Sequence, residues 1–539
     1  MSSLEPRDLL LARRLEHGAI EEVLGRYRFR DPLKADANLQ AVADEPQARE
    51  LLADVIDDLL LCLGESADPD QALNYFERFS RAAVQKTQLL SFLKATPRTM
   101  ELLARTFGAS PFMGDILVRD PVSLYWICDP EILGNPRTRE TLEEDLGRAL
   151  AALRTEQRQL DALRTFKRRE LLHLGVRDIL RMASVEQTLA ALTLLAEVLI
   201  QRALRISGAA LLSELGVDTG DPRAERIVAE FTVLGMGKLG GGELNFSSDV
   251  DLVYVYANDS GALPRPEGPP LSKDAFYTRL SRRLTAALAD STGEGQVYRV
   301  DLRLRPEGRM GGIAQPADAV LRYCATRGRT WERLAYLKAR PVAGDLALGK
   351  RLLNRMRPFV YAPPLGPEAQ RDIREIKVQI DRKVAARGQQ REDVKLGFGG
   401  IREIELVAQT LQVGFGRGKP RLRERNTLRA LRALREAGLL SAGEAETLRG
   451  AYLFLRDVEN KLQMFSDAQT HSLPEGGSEL RRLALTLGYP PVEPEQSFRA
   501  DYRRHTEGVN AILRDVLFPV QPPGRLAAGI SPGTSRSAR

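Results

Sequence analysis

One change of texture limits what this chain can fold into: a long helical sequence gives way at Phe231 to a short strand-bearing stretch and then resumes. Up to about residue 230, Leu, Ala, Arg and Glu dominate, and apolar residues recur at intervals of three and four, the spacing of one helix face. Pro121 and Pro130, with SLYWICD between them, mark one irregular join. From 231, FTVLGMG is a short apolar run closed by glycines, which predicts a strand entering a turn. DVDLVYVY, 249–256, predicts a second strand rich in β-branched and aromatic residues. The loop GALPRPEGPP follows, then a helix over about 273–290, then a third strand, QVYRVDLRLRP at 296–306, stopped by Pro306. Beyond Leu365 the helices return, and a turn near Gly438 and Ser441 separates two of them. Tyr452, Leu455, Val458 and Leu462 follow helical spacing and are expected in the core. The expected class is α+β, mostly helical.

Bulk properties narrow the function. The 539 residues are too many for one ordinary core and imply roughly two to four packed units. With 43% hydrophobic and 28% charged residues, the profile is that of a soluble globular protein. The net charge of +7 comes from 79 basic and 72 acidic residues mixed along the chain, so no element reads as a nucleic-acid footprint. Three cysteines, Cys62, Cys128 and Cys324, lie far apart without a CxxC pair, and the four histidines show no metal-ligand spacing. The start has no long apolar core before a cleavage site. The most apolar window, 189–200, is interrupted by Glu197 and too short to span a bilayer. A cytoplasmic protein without membrane or nucleic-acid partners is the expectation.

Within the strand-bearing stretch the acids carry the chemistry. Side chains alternate along a strand, so Asp249 and Asp251 fall on one face of DVDLVYVY. Two carboxylates so close repel unless a cation neutralises them, and hard oxygen ligands suit magnesium. In the third strand the same rule puts Arg299, Asp301, Arg303 and Arg305 on one face. If the two strands are neighbours, three carboxylates converge beside phosphate-binding guanidiniums, an arrangement suited to two-metal phosphoryl or nucleotidyl transfer. An exposed strand face laced with salt bridges is the bland alternative for DxD alone. The turn GMGKLGGG at 235–242 adds weight, because glycines let a backbone approach a phosphate. It matches GxGxxG literally, but Asp249 arrives only about ten residues later, which leaves no room for the dinucleotide-binding helix. Lys238 lacks P-loop spacing. In KLGFGGIREIE, Gly397, Gly399 and Gly400 suit either an anion-binding helix start or a structural join. Trp331 and Glu332 are expected as packing residues.

GMGKLGGGELNFSSDVDLVYVY and VYRVDLRLRPEG together resemble the glutamine synthetase adenylyltransferase/adenylyl-removing enzymes, members of the DNA polymerase β-like nucleotidyltransferase superfamily. WERLAYLKARPVAGD, KLGFGGIREIELVAQ, and AYLFLRDVENKLQ with a following QTHSLP extend the resemblance over about 100–520. It implies a nucleotidyltransferase core with a helical N-terminal region and a C-terminal helical bundle. The expected organisation is a helical region at 1–100, a catalytic domain at 101–360, a bundle at 361–520 and a disordered tail at 521–539. The resemblance also implies roles: Asp249, Asp251 and Asp301 as catalytic acids holding two Mg²⁺ ions, Gly237, Ser247 and Ser248 cradling the nucleotide, and Arg303 and Arg305 contacting phosphate. Family proteins carry two such modules in tandem. One removes AMP from a tyrosine of glutamine synthetase by phosphorolysis, releasing ADP; the other attaches AMP from ATP. A PII signal protein and glutamine control the balance. Only one SDxD motif stands here, and its wording is closer to the amino-terminal, adenylyl-removing half. ATP-dependent adenylylation, a non-catalytic docking module of the same fold, and uridylylation of a signal protein are the competing readings.

Overall fold

The computed structural model describes residues 4–12, 15–217, 229–263, 265–266, 268–362, 365–386, 388, 390–466 and 471–518; the tail expected at 521–539 lies outside them. The chain forms two compact units. The first comprises Met1–Arg137, Arg168–Thr188 and Asp457–Ala500, and the second Thr138–Lys167, Leu189–Arg456 and Asp501–Arg539. Among the described residues no helix is long and apolar enough to cross a membrane, and the three cysteines are free.

The first unit is helical. Pro32, Pro69 and Pro111 each open a helix, where a missing amide hydrogen costs nothing, and Asp31, Asp68 and Ser110 accept from a first-turn amide. Helices Pro69–Ala82 and Pro97–Ala109 meet through aromatic rings, with Phe107 lying 5.9 Å from Tyr75 and 5.8 Å from Phe79 between ring centres.

The second unit holds a small mixed sheet amid helices, so the chain is α+β and mostly helical. Its strands are β1 (Phe231–Gly235), β2 (Val250–Tyr256), β3 (Val300–Asp301), β4 (Ala314–Pro316) and β5 (Arg340–Gly344). The order is β3-β2-β1-β5, with β4 also on β2. β1 runs antiparallel to β2 and β5, whereas β3 and β4 run parallel to β2. Val250, Leu252, Tyr254 and Tyr256 share one face of β2 by the period of two, leaving Asp251 on the other. Tyr277, from helix Lys273–Ala289, stacks 4.5 Å from Tyr256 and 5.7 Å from Phe231. The Tyr254 hydroxyl meets Thr285 of the same helix at 3.0 Å. This aromatic layer fixes the β1–β2 pair against the helix.

The third strand departs from expectation. Instead of 296–306, strand geometry covers only Val300–Asp301, and 302–306 turns away. Arg305 enforces the turn: its guanidinium donates to the carbonyls of Leu302 (2.8 Å), Gly311 (3.2 Å) and Arg309 (3.3 Å). The alternation of charged and apolar residues therefore continues past the strand without a common face. The helix expected over 273–290 forms as Lys273–Ala289, and Tyr452, Leu455, Val458 and Leu462 are all buried.

Candidate active site

β1 delivers the chain into the glycine-rich turn, where the Met236 amide donates back to the Asp251 carbonyl at 2.9 Å. A single turn of helix, Gly237–Gly241, fits in the space where the dinucleotide-binding helix does not. Gly237 has φ +51°, and a Cβ there would stand 2.9 Å from Asp251 Oδ2, so both backbone and crowding select glycine. The chain returns through Ser247 and the half-buried Ser248 to Asp249 and enters β2.

Pairing of β2 with β3 brings the acids together. In the parallel register Val250 stands opposite Val300 and Asp251 opposite Asp301. The expected neighbouring of the two strands is thus met, with Asp249 just ahead of β2. Arg299 Nε donates to Asp249 Oδ1 at 2.7 Å, and its Nη2 donates to the Ser247 carbonyl and hydroxyl at 2.9 and 3.2 Å. Arg303 grips Asp301 from its backbone amide at 2.8 Å and through Nε at 2.8 and 3.0 Å.

Charge distinguishes the three acids. Burial first, then Asp301 and more weakly Asp249, pushes the Asp251 carboxyl up to about 6, against the pull of Lys395 and Arg303. Burial also presses Asp301 upward, but hydrogen bonds from Arg303 outweigh it and hold that carboxyl below the usual range. As the side chains lie, no three His, Cys, Asp or Glu groups among the described residues close around a common point. The donor set nevertheless fits a hard divalent cation: the oxygens are all carboxylate, and Asp251 is partly buried among like charges with Gly237 leaving Oδ2 uncovered. Asp301 would exchange its Arg303 contacts for the metal.

Two residues join the site that the site reading left out. Arg299 ties Asp249 to Ser247, and its in-phase spacing with Asp301 was the available signal. Lys395 acts on Asp251 from far along the chain, with no spacing to announce it. Arg305 is spent on its own loop rather than turned to the acids. The glycines at 397–400 resolve as a structural join. Amides of Ile401 and Arg402 donate to the carbonyls of Val394 (3.0 Å) and Lys395 (2.9 Å), leaving that helix start closed to an anion. A Cβ at Gly399 would lie 1.9 Å from the Thr506 carbonyl oxygen. Glu332 packs as expected, capping the Arg329 amide at 2.8 Å, whereas Trp331 is exposed.

The glutamate-ammonia ligase adenylyltransferase family model matches residues 100–355, which contain the whole five-stranded sheet with Asp249, Asp251 and Asp301. A bifunctional glutamine synthetase adenylyltransferase/adenylyl-removing enzyme of Xanthomonas campestris pv. campestris (strain B100) is 42% identical over 388 residues. Residues 100–355 thus carry a domain of the glutamate-ammonia ligase adenylyltransferase family. The Xanthomonas alignment takes in 72% of this chain and 39% of that protein. The family's bifunctional enzymes of Thioalkalivibrio sulfidiphilus (strain HL-EbGR7) and Nitrosococcus oceani are 38% and 36% identical, each over 80% of this chain and 43% and 44% of their own lengths. The chain therefore spans about two fifths of the length of these curated relatives. Residues 374–517 match a second family model, described as a PII-uridylyltransferase.

Proposed function

We propose that this chain is a Mg²⁺-dependent nucleotidyltransferase acting on glutamine synthetase, and that it removes AMP from an adenylylated tyrosine by phosphorolysis. The observation that carries the reading is the β2–β3 register, which sets Asp251 against Asp301 with Asp249 adjacent. In this reading the sheet is the core of a DNA polymerase β-like nucleotidyltransferase. Asp249, Asp251 and Asp301 are the catalytic acids and hold two metal ions. Mg²⁺ held by these acids would supply charge neutralisation at the reacting phosphorus.

The protein's own groups do the rest. Gly237, Ser247 and Ser248 bound the nucleotide. Arg303, with its side chain 66% exposed, leaves Asp301 and holds inorganic phosphate. Lys395 offsets part of the negative charge at Asp251. Arg305 keeps the following loop folded and acts on phosphate only through that loop. A phosphate oxygen attacks the phosphorus of the AMP–tyrosine ester in line. The phosphorus–phenolate bond breaks, the tyrosine takes up a proton, and ADP leaves. A phenol's ordinary pKa near 10 makes it a workable leaving group. The match of 374–517 to a PII-uridylyltransferase model supports a PII signal protein as the regulator, and glutamine is proposed as a second effector.

The test incubates the purified chain with Mg²⁺, phosphate and adenylylated glutamine synthetase and follows ADP. ADP that depends on phosphate supports removal. Adenylylation of the unmodified synthetase from ATP instead transfers the reading to AMP addition, and neither reaction leaves a docking module of the same fold.

A further inference from the structure

The segment from the glycine-rich turn to Ser247 is held from behind by side chains distant in sequence. Arg340 donates to the carbonyls of Leu239 (3.0 Å) and Gly240 (3.1 Å), and Asn426 to that of Gly241 (3.5 Å). Arg456, fully buried, bonds the Glu243 carbonyl and Asn245 Oδ1, with its other terminal nitrogen 2.7 Å from the Tyr452 hydroxyl. At the centre Lys338 uses three donors on three acceptors: Glu243 Oε2 at 2.9 Å, Glu405 Oε1 at 2.7 Å and Thr427 Oγ1 at 3.1 Å. Thr427 in turn donates its amide to Glu243 Oε1 and its hydroxyl to Oε2 at 3.2 Å. Lys338, Glu243, Glu405 and Thr427 are all buried.

A buried ion cluster is a poor way to gain stability, since desolvation takes back most of the Coulomb attraction. Apolar side chains would bind these helices as firmly but would tolerate sliding. A fully bonded cluster fixes one position, because any shift strands a charge. The position fixed here is that of 239–245, whose ends carry Gly237, 2.9 Å from Asp251 through its absent Cβ, and Ser247, bonded to Arg299. Glu405, Thr427 and Arg456 come from helices Ile401–Phe415, Thr427–Glu436 and Ala442–Ser466, which lie in the stretch matched by the second family model.

We propose that the Lys338–Glu243–Glu405–Thr427 cluster is a positioning device that sets the glycine-rich segment against Asp251, so that these helices determine nucleotide affinity at the proposed site. The inference rests on the nucleotidyltransferase reading, yet its readout needs no turnover. In the full chain, Glu405→Gln keeps the Lys338–Glu243 pair while removing one arm, and Thr427→Val removes only the hydroxyl. Each is compared with the parent for Mg²⁺·ADP binding by calorimetry, hydrogen exchange across 237–247, and far-UV circular dichroism. The expected result is a dissociation constant raised on the order of tenfold, the scale on which small misplacements act, with faster exchange confined to 237–247 and an unchanged helical spectrum. Parent-like affinity and parent-like exchange in a folded variant overturn the proposal. If Glu405→Gln fails to fold, Thr427→Val decides by the same criteria. If the parent itself binds no Mg²⁺·ADP, the function proposed above falls, and the exchange comparison alone decides whether the cluster positions the segment.

Discussion

Replacing Asp251 with Asn separates the stability of this fold from its chemistry. The carboxyl is raised from its ordinary 3.8 to about 6 by burial and by the neighbouring acids. At about 1.4 kcal/mol per pH unit, the ionised group costs the metal-free protein up to ~3 kcal/mol at neutral pH. The sign follows from proton binding. Between pH 4 and 6 the folded state holds a proton that the unfolded state has released, so stability falls as pH rises through that window, and the full cost persists above it. Asn has the same shape and no charge. Asp251→Asn is therefore expected to gain up to ~3 kcal/mol at pH 7.5 without metal, to gain almost nothing near pH 4, and to lose activity. Saturating Mg²⁺ stabilises only the parent and narrows the gap. The two tryptophans make the measurement clean: Trp126 lies in the first unit and Trp331 in the second. In a Trp126→Phe background, urea unfolding followed by fluorescence reports the unit that holds Asp251. A variant no more stable than its parent at pH 7.5, or a difference that ignores pH, refutes the like-charge account of the site.

Other consequences follow from single contacts. Arg303→Ala removes the guanidinium that holds the largely buried Asp301 and should lower the unfolding midpoint modestly at neutral pH while raising the KM for phosphate on the order of tenfold; an unaltered KM removes Arg303 from phosphate binding. Gly237→Ala places a Cβ at φ +51° and 2.9 Å from Asp251 Oδ2, so it should cost about 1–2 kcal/mol and weaken Mg²⁺ binding by calorimetry. His173 is buried in the first unit, and burial, aided by the nearby charges of Arg177 and Arg137, depresses its pKa to about 4 against the opposing hydrogen bond to the Ile132 carbonyl at 2.9 Å. Below its ordinary 6.5 the unfolded chain takes up a proton that the folded one refuses, so the first unit should lose about 3 kcal/mol as pH falls from 6.5 to 4. Trp126 fluorescence in a Trp331→Phe background measures that loss, and His173→Gln should flatten it.

Much of the site was legible because its signals are local. Strand alternation placed Asp251 opposite the aromatic face, and GMG at the end of an apolar run announced a tight turn beside it. The helix over Lys273–Ala289 and the buried Tyr452, Leu455, Val458 and Leu462 were equally readable, since helical period and burial are properties of a short window. Where the third strand ends was not, because the carbonyls that capture Arg305 belong to a loop folding back on itself. The glycines at 397–400 kept two readings until Thr506 was seen against Gly399. Nor could sequence distinguish Lys338, Glu243 and Glu405 from the many charged residues that face water. A window of residues fixes which way a side chain points along its own element. Whether a lysine meets solvent or two carboxylates from remote segments is decided only when those segments pack, because burial and pairing belong to the assembled surfaces and not to either stretch alone.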